Sequence, residues 1–212
     1  MKKTYGNFTF TYTDGPVIIE PRVFHDERGC FMETYNEEAF KLALLPYSFA
    51  QDNHSISKKG VLRGMHGQHP HTQGKLVRVV KGKVYDVGID VRPGSKTFGQ
   101  KFEFILDAES KKMVYFPGSF LHGFLALEDS EFVYKCTDPY FKGEDITVNY
   151  ADPDLGIDWD SAKKEMPIVT RTTDGGNYVE RWHLTAPREN IVSEKDKKGI
   201  SFQEYLKRFP CN

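Results

Sequence analysis

Residues 51–79 read QDNHSISKKGVLRGMHGQHPHTQGKLVRV and gather Arg63, His66, His69, His71, Lys75 and Arg78 into one short stretch. Two chemistries use residues of these types. The first is metal binding, for which imidazole is a common ligand. His69-x-His71 has the spacing of two ligands on a β-hairpin, and His122 in FPGSFLHGF is available as a third. The carboxylate that would complete such a set belongs four residues after His71, and that position is Lys75. A lysine ammonium has no lone pair to give and repels a divalent ion. The second chemistry is proton transfer through an anionic intermediate. A histidine moves a proton near neutral pH, while Lys and Arg stabilise a developing oxyanion or hold phosphate.

A further segment, EFVYKCTDPY at residues 131–140, supplies the other half of such a reaction. Strand alternation places Phe132, Tyr134 and Cys136 on one face and Val133 and Lys135 on the other. With a histidine base nearby, Tyr134 becomes a candidate acid, because a phenol can both donate a proton and hydrogen-bond an oxyanion. Cys136 has no neighbouring base in sequence and reads as a core thiol.

The elements that must position these groups are mostly strands. Short β-rich runs fall at residues 8–12, 17–20, 100–106, 113–116, 123–126 and 131–136, and residues 75–91 read as a hairpin around Lys81-Gly82. RPGSK, DAES, PGS and LEDS punctuate them. This pattern predicts an all-β sandwich or barrel. Helices are few: Asn36 can cap one over residues 37–45, and Ser201 with Glu204 forms a capping box for a C-terminal helix. That helix carries a stripe of Phe202, Tyr205, Leu206 and Phe209, suited to packing against the barrel or a second subunit. Residues 161–190, including RTTDGGNYVERWH, read as either a hairpin or a long loop.

The 212 residues suit one domain, residues 1–212, large enough for a substantial core. With 29 basic and 30 acidic side chains, nothing favours nucleic acid or an anionic membrane as partner. No apolar run is long enough to span a bilayer, and MKKTYGNFTF has no apolar core of a secretory signal. Three scattered cysteines, Cys30, Cys136 and Cys211, form neither a disulfide scaffold nor a zinc motif, so the expected location is cytoplasmic.

Taken together, VFHDERGCFMETYN, FAQDNHSISKKGVLRGMHGQ, QGKLVRVVKGKVYDVGIDVRPGSKTFG, FLHGFLALEDSEFVYKCTDPY, DPDLGIDW and VSEKD resemble the dTDP-4-dehydrorhamnose 3,5-epimerase family. The resemblance runs almost continuously over residues 17–160. It implies a cupin-like jelly-roll β barrel, a homodimer, and catalysis with no cofactor and no metal. The substrate it implies is a nucleotide-diphosphate 4-keto sugar, whose C3 and/or C5 is inverted through an enolate on the way to a deoxysugar or polysaccharide precursor. Matching residue by residue, it implies His66 as base, Asp196 as the carboxylate that orients it, Tyr134 as acid and Lys75 beside the enolate oxygen. Arg63 matches the arginine near the diphosphate and His122 a second histidine of the site. Arg28, Glu33, Gln51 and Lys195 match residues lining the nucleotide end, and Tyr140 lies where a base can stack. One tension is local: Arg63 and His66 are three apart, so a regular strand points them to opposite faces unless Gly64 hosts a bulge.

The chain also departs from the pattern. Gly67 follows the histidine where the family has an aromatic, which suggests more room in or near the pocket. PGSFLHGF replaces PEGFAHGF, and Pro139-Tyr140 replaces a tyrosine pair. About 30 residues, the insertion at 161–190, separate DPDLGIDWD from VSEKD. These departures keep alternatives open: an epimerase of C3 only or C5 only, acting on a GDP- or CDP-linked keto sugar or a heptose. A metal-dependent cupin enzyme using His69, His71 and His122, and a non-catalytic sugar-nucleotide binder, are the readings from other classes.

Overall fold

A computed structural model of the chain describes residues 1–164 and 189–210, and the backbone of residues 168–174 and 177–183. The first third contains β1 (Lys2–Tyr5), β2 (Phe8–Tyr12), β3 (Val17–Pro21), β4 (Val23–Asp26), β5 (Gly29–Met32), α1 (Glu37–Leu42), β6 (Gln51–Ser57) and β7 (Val61–Gln68). There follow β8 (Lys75–Lys81), β9 (Lys83–Asp90), β10 (Lys101–Asp107), β11 (Met113–Phe116), β12 (Phe120–Ala126), β13 (Ser130–Cys136) and β14 (Asp145–Thr147). The last part holds α2 (Trp159–Lys164), β15 (Ile168–Asp174), β16 (Asn177–His183), β17 (Ile191–Val192), α3 (Glu194–Lys197) and α4 (Phe202–Arg208).

Two sheets pack face to face as a jelly roll. The larger runs β1-β2-β3-β11-β8-β13-β6 and the smaller β10-β9-β12-β7-β14, with β17 alongside β7 in parallel. Between them lie Val77, Val79, Val114, Phe116 and Phe132 from one sheet and Val84, Leu106, Phe120 and Phe124 from the other, all buried. Each outer face is covered as well. Phe40 of α1 packs with Phe8, Phe10, Leu76 and Met113, and Phe202 and Tyr205 of α4 pack with Leu62, Leu121, Leu125 and Trp159. This double burial explains why β9 and β12 read as nearly continuous apolar runs instead of alternating ones.

Residues 75–91 are not a hairpin. β8 pairs with β11 and β13, and β9 with β10 and β12, so the two arms lie in different sheets. Gly82, at φ +74°, is the corner where the chain crosses, and a side chain there would run into the Asp129 carbonyl. Both arms are buried strands, and local turn chemistry alone does not distinguish a hairpin from a crossing.

Both terminal expectations for helices have caps in place. Asn36 Oδ1 accepts the Ala39 N–H at 3.1 Å, although α1 stops at Leu42, before Leu44 at φ 57° and Pro46. Ser201 Oγ accepts the Glu204 N–H at 3.1 Å at the start of α4. Within residues 161–190, β15 and β16 form an antiparallel hairpin from Ile168↔His183 to Asp174↔Asn177, while residues 165–167, 175–176 and 184–188 lie outside the described residues, as does Cys211. Among the described residues no helix is long and apolar enough to cross a membrane.

The turn after β9 is pinned by Asp90, which is fully buried. Its carboxylate accepts from Arg92 Nε and NH2 at 2.9 and 2.7 Å, Ser95 Oγ at 2.6 Å and Thr97 Oγ1 at 2.6 Å. Burial alone would raise its pKa, but these hydrogen bonds outweigh it and bring it down to about 2. A carboxyl depressed in the folded state stabilises above its unfolded pKa of about 3.9, and that stability is lost as pH falls through the folded value. Asp90→Ala leaves Arg92 without its partner and is expected to cost about 3 kcal/mol at pH 7, with a smaller difference near pH 3. Coincident urea midpoints for the two proteins at pH 7 would contradict this.

Candidate active site

At one end of the barrel a cavity of about 300 Å³ opens between the sheets. Its walls include Gln51 and Asn53 from β6, His66 and Gln68 from β7, Lys75 from β8, Tyr134 and Cys136 from β13, and Asp145 from β14, with Tyr140 and Lys195 from adjoining loop and helix. Of the residues singled out from sequence, His66, Tyr134, Lys75, Gln51, Tyr140 and Lys195 meet here.

His66 reaches the cavity because β7 is bulged. His122 lies opposite His66 and Phe124 opposite Arg63, so three steps on β7 match two on β12. The extra residue puts Arg63 and His66 on the same face, where regular alternation would separate them. Gly64 carries the bulge at φ +136°, and a Cβ there would sit 2.6 Å from the Gly123 Cα. Arg63 itself lies at the exposed edge, donating to Ser57 Oγ at 3.1 Å and the Ile56 carbonyl at 3.3 Å.

Asp196 is brought in by α3. Ser193 caps that helix by accepting the Asp196 N–H at 3.1 Å. The buried carboxylate accepts His66 Nε2–H at 2.7 Å and the Gly64 N–H at 3.4 Å. Burial pushes the Asp196 pKa up, but the His66 hydrogen bond and charge outweigh it and hold the carboxyl below its usual range. With Nε2–H donated to Asp196, the lone pair of His66 is on Nδ1.

Lys75 and Tyr134 face the same space without internal partners. Among the described residues no hydrogen bond or ion pair holds the Lys75 ammonium, and burial lowers its pKa against the opposing pull of Cys136, Asp145 and Asp86. Burial likewise raises the Tyr134 pKa, with Arg63 pulling it back, so the phenol keeps its proton at neutral pH. A cation with no ion pair and a phenol with no acceptor among the described residues are suited to an oxyanion that arrives with a ligand.

Like Arg63, three further residues singled out from sequence, His122, Arg28 and Glu33, stand outside the cavity. His122 is buried beside His66, its Nε2 donating to Asp86 Oδ1 at 2.7 Å and its ring against Phe116 and Phe132, and it does not line the cavity. Arg28 is exposed on the β4–β5 hairpin and pairs with Asp26. Glu33 accepts from Asn7 Nδ2 at 2.9 Å at the base of that hairpin. Neither reaches the cavity.

The histidines of the metal reading do not gather. His69 packs on Phe209, and His71 bonds Glu144. Among the described residues no group of three or more His, Cys, Asp or Glu side chains is placed to hold an ion. Gly67 also lines the cavity, and an added Cβ there would meet Leu121 Cδ2 at 3.0 Å.

Sequence reasoning missed Asn53, Gln68 and Asp145. Asn53 follows Gln51, and Gln68 follows His66, at the two-residue strand period, a usable signal. Asp145 ion-pairs Lys195, and only the fold brings those together.

Comparison with known proteins gives the same assignment from independent directions. A family model for dTDP-4-dehydrorhamnose 3,5-epimerase matches residues 11–204. A dTDP-4-dehydrorhamnose 3,5-epimerase of Pseudomonas aeruginosa is 49% identical over 190 residues, 89% of this chain and 91% of the relative. The crystal structure of a dTDP-4-dehydrorhamnose 3,5-epimerase from Elizabethkingia anophelis NUHP1 is similar at a TM-score of 0.76 and 38% identity, covering 94% of this chain and 98% of that one. A dTDP-6-deoxy-D-glucose-3,5-epimerase from Legionella pneumophila, solved in complex with dTDP-4-keto-L-rhamnose, matches at a TM-score of 0.76 and 37% identity over 93% of each chain.

Proposed function

The chain belongs to the dTDP-4-dehydrorhamnose 3,5-epimerase family, a family of isomerases, and on that premise we propose that it inverts both C3 and C5 of a dTDP-linked 4-keto-6-deoxy sugar. The observation that carries this reading is one cavity holding a carboxylate-backed histidine, a protonated phenol and an unpaired ammonium.

The 4-keto group acidifies the protons on C3 and C5. His66 Nδ1 takes one of them, and the electron pair moves into the carbonyl to form an enolate. Lys75 stabilises the oxyanion, at the point in the reaction where its charge is useful. Tyr134 donates its proton to the opposite face of the carbon and regenerates the ketone. His66 then releases its proton and Tyr134 regains one, and the second centre follows. Asp196 keeps the imidazole oriented and stabilises the imidazolium. At the mouth, Tyr140 offers an aromatic face to the base and Lys195 a cation to the diphosphate. The dTDP assignment is supported by the relatives and by the nucleotide in the Legionella complex.

Tyr134→Phe tests the division of labour. The base still acts, so exchange of substrate protons with solvent is expected to persist, while formation of the doubly inverted product falls by about 10²-fold. Deuterium uptake and product are followed together by NMR. Equal loss of both would contradict the acid role of Tyr134.

The reading includes a homodimer. Arg28 and Glu33 sit on and beside an arm that pairs with no other strand among the described residues, and Phe31 on that arm is 67% exposed. A second copy would cover the arm and receive Arg28 at its nucleotide end. Light scattering is expected to give twice the chain mass; a monomer across micromolar concentrations would contradict it.

A further inference from the structure

The loop that presents Tyr140 is held almost entirely by the segment that follows the catalytic strand. Gln68, buried at the end of β7, donates Nε2–H to the carbonyls of His71 at 2.7 Å and Pro139 at 3.2 Å, and its Oε1 accepts the Phe141 N–H at 2.9 Å. These bonds tie both residues flanking Tyr140 to one side chain. Further contacts run between the same segments. Gln73 Nε2 donates to the Asp138 carbonyl at 2.8 Å, and the His69 N–H to the Glu144 carbonyl at 3.1 Å. His71 donates its backbone N–H and its Nδ1–H to the Glu144 carboxylate, at 3.1 and 2.8 Å, and its ring packs on Phe141 at 5.0 Å between centres, tilted by 39°. From the far side Gln51 Oε1 accepts the Tyr140 N–H at 2.8 Å. The Tyr140 ring itself is half exposed and lines the cavity.

A loop between strands ordinarily moves more than the sheet it leaves. This one is braced at each backbone position around one aromatic ring, while the ring has no brace of its own. We propose that Gln68 and His71 are positioning residues for nucleotide recognition, fixing the 138–144 loop so that Tyr140 meets the base without an ordering cost at binding. The proposal rests on the reading of Tyr140 as the base platform. Ordering a side chain and its loop before the ligand arrives raises affinity without a new contact. The effect therefore belongs to the nucleoside end, and neither the diphosphate nor the proton transfers should feel it.

The test uses the full chain and two probes, dTDP and inorganic pyrophosphate, as competitive inhibitors of turnover of the dTDP-linked 4-keto-6-deoxy sugar. Gln68→Leu removes three partly buried hydrogen bonds and is expected to weaken dTDP about tenfold and to raise KM by a similar factor. His71→Ala acts on an exposed pair and is expected to weaken dTDP about threefold. His71→Asn keeps an N–H donor toward Glu144 and is expected to return within a factor of about two of the parent. For the His71 variants kcat, its pH profile and pyrophosphate inhibition are expected to stay at parental values. If Gln68→Leu fails to fold, the His71 pair decides. Unchanged dTDP inhibition in the variants, an equal loss for pyrophosphate, or a fall in kcat with a displaced pH profile would overturn the proposal while leaving the epimerase reading intact. A parent protein that neither binds dTDP nor turns over the sugar would overturn both.

Discussion

His66→Ala is expected to lower turnover by about 10³-fold or more, the range that removal of a positioned general base produces. Solvent exchange at C3 and C5 should vanish with it, because no other group in the cavity combines a free lone pair with an anionic neighbour. Binding of dTDP should stay within a factor of about three, since on the proposed reading the imidazole serves the sugar and its own partner is Asp196. Asp196→Asn separates the two functions of the dyad. The amide can keep the geometry but carries no charge to stabilise the imidazolium, so a fall of about 10²-fold in kcat is expected with KM little changed. The measurement is steady-state turnover with dTDP affinity determined separately by calorimetry. Residual turnover within tenfold of the parent in His66→Ala would assign the proton abstraction elsewhere.

Lys75→Met should show the opposite movement of activity and stability. Enolate stabilisation by a fixed cation contributes on the order of 10²–10³ in rate, and methionine fills the same volume without the charge. The same substitution removes an ammonium for which burial outweighs the pull of Asp145 and Asp86 and which no ion pair holds among the described residues. Replacing an uncompensated buried charge by an apolar side chain is expected to add about 1–3 kcal/mol to stability at pH 7. The sign follows from linkage. A lysine whose folded pKa lies below its unfolded value costs stability while it is charged, and that cost disappears as pH rises toward the unfolded pKa of about 10.4. The advantage of Lys75→Met in thermal unfolding should therefore be largest near neutral pH and shrink above about pH 10. A variant that loses both activity and stability would mean that Lys75 is a structural cation.

These two residues also illustrate what was legible from sequence. That His66, Lys75 and Tyr134 meet in one cavity could be read because each sits in a long motif. The bulge at Gly64 could be anticipated as well, since only an extra residue lets Arg63 and His66 share a face, and glycine is the residue that tolerates it. Asp196 required more. It reaches His66 on a one-turn helix that has no periodicity to read, across 130 positions of chain, and only its local motif pointed to it.

The misreadings have identifiable causes. Residues 75–91 carry the turn residue and the β-rich arms of a hairpin, but β8 and β9 each find both of their neighbours elsewhere. The choice between pairing and crossing is made by the whole sheet, not by the turn. His122 had the composition of a cavity residue and is spent instead on Asp86 inside the barrel. Arg28 and Glu33 carry motif matches but sit on and beside the β4–β5 arm, away from the cavity.

The central claim is enolate chemistry at two carbons in one pocket, and solvent exchange measures it most directly. The wild-type protein is incubated in D₂O with the dTDP-linked 4-keto-6-deoxy sugar, with chelator present, and followed by NMR. Deuterium entering at both C3 and C5, accompanied by inverted product, is the predicted result. Deuterium at one carbon would contradict inversion of both centres, and no deuterium at either would contradict the enolate mechanism itself.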